Sequence, residues 1–237
     1  MKVSRLALLA ILAPSIASAH ITIGSGPALA NKSGQKISFA INHGCTAAGG
    51  AKLDTLSIKV DIPTGIDATT VRALPSDFGG TPAVAKTGTA VTSVTWSRNP
   101  AELQNDDVAY YELTLRLKVN DVPFTKIPWV ITQVCRPQGG TPADDVTVVW
   151  TGPSTNAEPS PNLIVVPAHA LGWHKITMTT AITTATDMGL FFGDAQIVWK
   201  GTSAFSANSF TTALIAMTTG VTPLATLAAG DEIWVKY

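Results

Sequence analysis

Residues 112–119 alternate strictly: Leu113, Leu115, Leu117 and Val119 are apolar, and Glu112, Thr114, Arg116 and Lys118 between them are polar. A period of two sends successive side chains to opposite faces, so this stretch reads as a strand with one dry face that needs a second layer to cover it. Residues 36–42 and 56–62 repeat the period, the second run being stopped by Pro63-Thr64-Gly65, and residues 91–96, 127–134 and 146–150 are further apolar, β-branched runs. Turn-forming segments such as Ser97-Arg98-Asn99-Pro100 separate them, and helical periodicity is nearly absent between positions 21 and 150. Many short strands with one apolar face each predict a mainly β chain built as a Greek-key β-sandwich.

The pattern changes after residues 156–162, Asn-Ala-Glu-Pro-Ser-Pro-Asn, whose composition suits a linker or an extended loop. We place a boundary near Pro167, giving a sandwich over residues 20–167 and a small β or α+β module over residues 168–237. In the second part, residues 175–184 are threonine-rich and strand-like, and residues 195–200 and 232–237 read as strands. Residues 209–217 read as a short helix capped by Asn208 and closed by Gly220.

The first 19 residues stand apart. Lys2 and Arg5 precede a short apolar run, and Ala17-Ser18-Ala19 supplies the small residues that a signal peptidase reads, so residues 1–19 are expected to be a removable export leader and His20 the first residue of the processed chain. Losing Lys2 and Arg5 leaves 14 basic against 16 acidic residues, a balance with no basic stripe for nucleic acid or anionic lipid. No later run approaches the roughly 20 apolar residues of a membrane helix. Export points to the periplasm or the extracellular space. There, the two cysteines, Cys45 and Cys135, are expected to pair. The alternative for the pair is two thiolates holding Cu(I).

A free N-terminal histidine is chemically distinctive. Its α-amine and its imidazole can chelate one metal ion, and nitrogen donors of this kind favour Cu(II) among the divalent metals. A third donor would come from a carboxylate on a nearby strand, for which Glu112, on the polar face of the alternating strand, is the leading candidate. A tryptophan over the ion would shield it from water, and Trp150 and Trp129 are the candidates. His43 adjoins Cys45 and reads as a hydrogen-bonded structural residue. His169 and His174, with Met178, form a series that could hold a second copper, although a spacing of five puts the two histidines on opposite faces of an extended segment.

Taken in order, His20-Ile21-Thr22, Asn42-His43-Gly44-Cys45, Val94-Thr95-Trp96-Ser97, Tyr110-Tyr111-Glu112-Leu113, Trp129 followed by Gln133-Val134-Cys135, and Trp150-Thr151-Gly152 resemble the YcnI-like family of exported copper-binding proteins. The resemblance covers about residues 20–167. It implies a cupredoxin-like or immunoglobulin-like sandwich that binds Cu(II) through a mono-histidine brace, with His20 giving amine and imidazole, Glu112 the carboxylate, Trp150 the neighbouring ring with Trp129 as second choice, and Cys45 bridged to Cys135. The loop 136–145 and everything after Pro167 depart from that pattern.

The expected function is copper handling or delivery without catalysis, with the copper ion and another exported copper protein or a membrane copper transporter as partners. Two alternatives stand beside it. One is a copper-dependent oxygenase acting on polysaccharide, which would need a second histidine facing His20; the other is a structural or adhesive exported sandwich. No Ser/His/Asp spacing, phosphate-cradling glycine loop or Cys-x-x-Cys supports a hydrolase, nucleotide or zinc-finger reading.

Overall fold

The structure is a computed structural model that describes residues 20–106, 109–153, 155 and 157–237. The expected export leader, residues 1–19, lies outside the described residues. The chain is mainly β, and its first part is a sandwich.

One sheet of the sandwich runs in the order Thr22–Ile23, Gln35–Ile41, Tyr111–Leu117, Arg72–Ala73, all antiparallel. Facing it is a larger sheet in the order Val146–Trp150, Ile131–Arg136, Lys52–Asp61, Ala90–Ser97, Ala83–Thr87, with Cys45–Thr46 paired onto Lys52–Asp61. The dry face read from the alternating strand is the dry face observed: Leu113, Leu115, Leu117 and Val119 are at most 1% exposed. They meet Ile37, Phe39 and Ile41 from the neighbouring strand and Ile58, Val60, Val94, Trp96 and Ile131 from the opposite sheet in one core.

Residues 127–134, expected as one strand, are two. Thr125–Pro128 pairs with Asn162–Val166 in a separate three-stranded sheet, while Ile131–Arg136 joins the large sheet. Pro128 has no N–H to continue a ladder. The next two residues make the crossing: the Trp129 N–H donates to the Pro161 carbonyl at 2.9 Å, and the Val130 carbonyl accepts from the Asp61 N–H at 3.0 Å. Trp129 is fully buried at this corner, edge-on to Phe39 with ring centroids 5.1 Å apart.

Register also creates a feature that residue order conceals. Lys36 lies opposite Arg116, and Arg116 opposite Arg72, so three cations line up across three adjacent strands on the outer face of the first sheet. The sequence showed no basic stripe because these residues come from three separate segments.

After Val166 the chain enters a five-stranded sheet in the order Trp173–Thr177, Glu232–Lys236, Ile197–Lys200, Ser203–Phe205, Thr222–Pro223, accompanied by two helices. The helix Ser209–Met217 is capped by Asn208, whose side chain accepts from the Phe210 and Thr211 N–H groups. A second helix, Ala185–Phe191, begins at Thr184, whose hydroxyl accepts from the Asp187 N–H. The strand expected over residues 175–184 ends at Thr177: its partner begins at Glu232, and one step further the Met178 N–H donates to the Asp231 carbonyl and the Met178 carbonyl accepts from the Gly230 N–H, both at 2.8 Å, where the partner chain turns away at residues 228–231. This module has its own core, including Met178, Met188, Phe191, Phe192, Val198, Ile233 and Val235, and Phe124 and Val166 of the sandwich pack into it.

Candidate metal centre

His20 precedes the short first strand. In the antiparallel register of that strand with Gln35–Ile41, Thr22 faces Ala40, and the Asn42 side-chain amide donates to the His20 carbonyl at 2.8 Å. The first residue of the expected processed chain is thereby held at one end of the sandwich. Its ring stands against Trp150 of the other sheet, with centroids 6.0 Å apart and planes tilted by 55°.

Trp150 is itself fixed from below. It is 5% exposed, and its indole N–H donates to the Gln133 side-chain carbonyl at 3.1 Å. The Gln133 amide nitrogen donates to the His43 carbonyl and to the Thr55 hydroxyl, each at 2.9 Å. Gln133 is 1% exposed, so all three bonds lie in a low-dielectric setting where an unmade bond would be costly. Cys45 and Cys135 form a disulfide with Cα atoms 5.8 Å apart beside this residue, pinning the His43-Gly44-Cys45 segment to the sheet.

Above this floor lies a cavity of about 220 Å³ lined by His43, Gly44, Cys45, Thr46, Gln133, Val148, Trp150, Ala157 and Glu158. The His43 Nδ1 is engaged with the Gly44 carbonyl, a hydrogen bond of the kind its structural reading expects. Glu158 was not a candidate from sequence. It follows a proline-containing loop, and its carbonyl accepts from the Gly152 N–H at 3.0 Å.

Glu112 is not brought to His20. It faces Ala40, which faces Thr22, so it stands two strands across and two residues along from His20, a Cα separation on the order of 12 Å from strand geometry. Its carboxylate leans the other way, with Oε1 3.9 Å from where a Cβ on Gly24 would lie. Trp129, the second choice for the covering ring, is 0% exposed in the core against Phe39.

In the C-terminal module, His169 and His174 gather around Tyr237. His169 stacks on that ring at 3.4 Å, and His174 meets it edge-on at 5.7 Å. Met178 does not join them. It is four residues beyond His174 along an extended segment, about 13 Å away, and is buried in the module core. The three do not form one ligand set.

Among the described residues no three His, Cys, Asp or Glu side chains converge as a metal site. A histidine brace does not need three, because one residue supplies two donors. The residues at this end fit such a chelate in two respects: the imidazole is partly exposed, and a tryptophan lies beside it. Glu158 borders the hollow that Trp150 lines, one side chain away from His20.

A deeper polar network lies nearby. Asp54, 1% exposed, accepts from the Arg98 guanidinium at 2.5 Å, the Tyr111 hydroxyl at 2.9 Å, and the Thr55 and Gln104 N–H groups at 2.8 and 2.9 Å. Burial, and then the bond to Asp54, pushes the Tyr111 hydroxyl far above its ordinary pKa, which keeps it a donor.

No family model and no curated protein matches the sequence. Among solved structures, the chain is similar to an uncharacterized protein from Nocardia farcinica with an immunoglobulin-like fold, at 16% identity and a TM-score of 0.48, over 62% of this chain and 98% of that one. It is also similar to a variant of BcpA, the major pilin subunit of Bacillus cereus, at 9% identity and a TM-score of 0.32, over 92% of this chain and 55% of that one.

Proposed function

We propose that this is an exported protein that holds Cu(II) through the amine and imidazole of His20 once the leader has been removed, for copper handling or delivery. The observation that carries the reading is the seating of His20: its carbonyl is tied to Asn42 and its ring stands against Trp150, which Gln133 holds in place. A chelating residue is thereby presented at a fixed point instead of on a loose terminus.

In this reading Glu158 is the candidate acid to complete the donor set, supported by its lining the hollow that Trp150 also lines. Trp150, whose ring lies 6.0 Å from that of His20, would help to shield a bound ion from water and could make a cation-π contact with it. The disulfide fits an oxidising compartment and leaves no thiolate to compete for the metal. Cu(II) held by nitrogen and oxygen donors would be held less tightly after a one-electron donor outside this chain, such as a small thiol, reduced it to Cu(I), which prefers softer ligands, and that weakening is the proposed route of transfer to a partner copper protein or transporter.

The test is titration of Cu(II) into the chain beginning at His20, followed by electron paramagnetic resonance. One equivalent should bind with a nitrogen-rich signal, and one extra residue before His20, which turns the amine into an amide, should lower affinity by at least 100-fold. Unchanged affinity in the extended chain would refute the chelate. Replacing Glu158 with Gln should weaken binding more than replacing Glu112 with Gln; the reverse order would restore Glu112 as the third donor. Equal or tighter binding of Cu(I) would remove the release step.

A further inference from the structure

The C-terminal sheet buries only one of its faces. His174, Ile176, Val198, Ile233 and Val235 point toward the module core, the last three fully buried. The opposite face carries Trp173, Trp199 and Trp234, half of the six tryptophans in the sequence. Trp199 and Trp234 are direct cross-strand partners; Lys175 is opposite Trp234, and Trp173, two residues before it, is the diagonal neighbour. Three indoles on three adjacent strands make a strip about 10 Å wide. Trp173 and Trp234 are each 51% exposed, and the three line a shallow depression of about 370 Å³ floored by Gly201.

Chemistry and size narrow what this face can hold. Two half-exposed indoles and the less exposed Trp199 offer on the order of 300 Å² in all, well short of the roughly 800 Å² per partner of a stable protein interface. The depression is instead within the range of small-ligand sites, about 300–1,000 Å³. The charges beside the rings largely cancel: Lys175 pairs with Glu232 at 2.8 Å, and Lys236 adds one more cation opposite Trp173. The face therefore lacks the cluster of like charges that an anionic ligand would need. What remains is flat aromatic surface bordered by hydrogen-bonding ammonium and carboxylate groups. A pyranose ring matches this combination, with axial C–H bonds to lie on an indole and equatorial hydroxyls to reach the groups at its edge.

We infer that the Trp173, Trp199 and Trp234 face is a binding platform for a neutral polysaccharide, with sugar rings stacked on the indoles and their hydroxyls hydrogen-bonded to Lys175 and Glu232. The platform would tether the protein to a glycan-rich surface, and it operates independently of any metal at His20.

The test uses the chain from His20 to Tyr237 with cellohexaose, chitohexaose and mannohexaose as neutral probes and hexagalacturonate as the anionic control, read by tryptophan fluorescence and calorimetry. At least one neutral hexaose should bind saturably, with binding at least tenfold weaker in Trp173→Ala/Trp234→Ala. Trp173→Ala alone lies on the edge strand and leaves the Trp199 and Trp234 pair intact, so it keeps the test valid if the double variant unfolds. Its affinity should fall while its melting temperature holds. Failure of every neutral probe, equal binding of hexagalacturonate, or undiminished binding by a folded Trp173→Ala variant would overturn the inference. Sedimentation showing a Trp173-dependent dimer would overturn it in favour of a second copy.

Discussion

Replacing Gln133 with Leu tests whether the His20 end is built from the inside outward. The side chain is 1% exposed and makes three bonds, accepting from the Trp150 indole at 3.1 Å and donating to the His43 carbonyl and the Thr55 hydroxyl at 2.9 Å. Leucine fills a similar volume and makes none of them. The His43 carbonyl borders the open cavity and can turn to water, but the Trp150 N–H and the Thr55 hydroxyl, on residues 5% and 0% exposed, are left buried. At about 1–3 kcal/mol for each of the two orphaned groups, the loss should be roughly 2–6 kcal/mol, a large part of the roughly 5–15 kcal/mol that holds a typical domain. Urea unfolding measures this directly. Near-UV circular dichroism should show a changed Trp150 environment, and Cu(II) affinity should fall although no metal donor has been touched. A variant that loses less than about 0.5 kcal/mol, below the cost of even one orphaned group, and keeps its copper affinity would refute the idea that Gln133 positions the site.

Replacing Cys45 and Cys135 together with Ala opens a link spanning 90 residues and should cost about 4–5 kcal/mol in the chain-entropy picture, read as a lower urea midpoint that reductant no longer shifts. Asp54→Ala leaves the Arg98 guanidinium without its carboxylate partner and should cost about 3–5 kcal/mol, whereas a loss below 1 kcal/mol would mean that water replaces the carboxylate. Arg116→Glu puts an acid between Lys36 and Arg72 and should raise stability by about 0.2–1 kcal/mol, with the gain fading at high salt. Three carboxyls titrate below their ordinary range: Asp67 through its bonds from Thr69, Asp144 through its bonds from Thr141, and Asp231 through its bond from Lys200. A depressed carboxyl stabilises the fold above its unfolded pKa of about 3.9 and ceases to do so as pH falls through the folded value, so stability should hold near neutrality and decline below about pH 4. A flat profile down to pH 2 would contradict these assignments.

Periodicity made the sandwich legible because it reports a local fact, namely which face of a strand is dry. Leu113, Leu115 and Leu117 could be read for that reason, and so could the helix after Asn208, whose cap is a local hydrogen bond. The switch at Trp129 could not, since an apolar run looks the same whether it stays in one sheet or crosses to another. Pro128 was the available signal, as a residue that cannot donate to a central ladder. The helix Ala185–Phe191 went unread because it is two turns long and carries Gly189 inside it, leaving one local cue, the Thr184 and Asp187 pair at its start.

The candidate site shows where such reading stops. Alternation correctly assigned Glu112 to the polar face, but a face is long, and proximity to His20 also depends on strand order and register. Register puts Ala40 between Glu112 and Thr22, and the carboxylate leans toward Gly24. Trp150 reaches His20 from a strand of the opposite sheet, and Glu158 joins Trp150 at the cavity from a loop with no periodicity to interpret. The same argument explains the tryptophan platform. Trp173, Trp199 and Trp234 are scattered over 62 positions, and only pairing of their strands makes them one surface. Both proposed binding regions are products of long-range strand pairing, so a variant that shifts register should abolish them before it abolishes the β-structure that a far-ultraviolet spectrum reports.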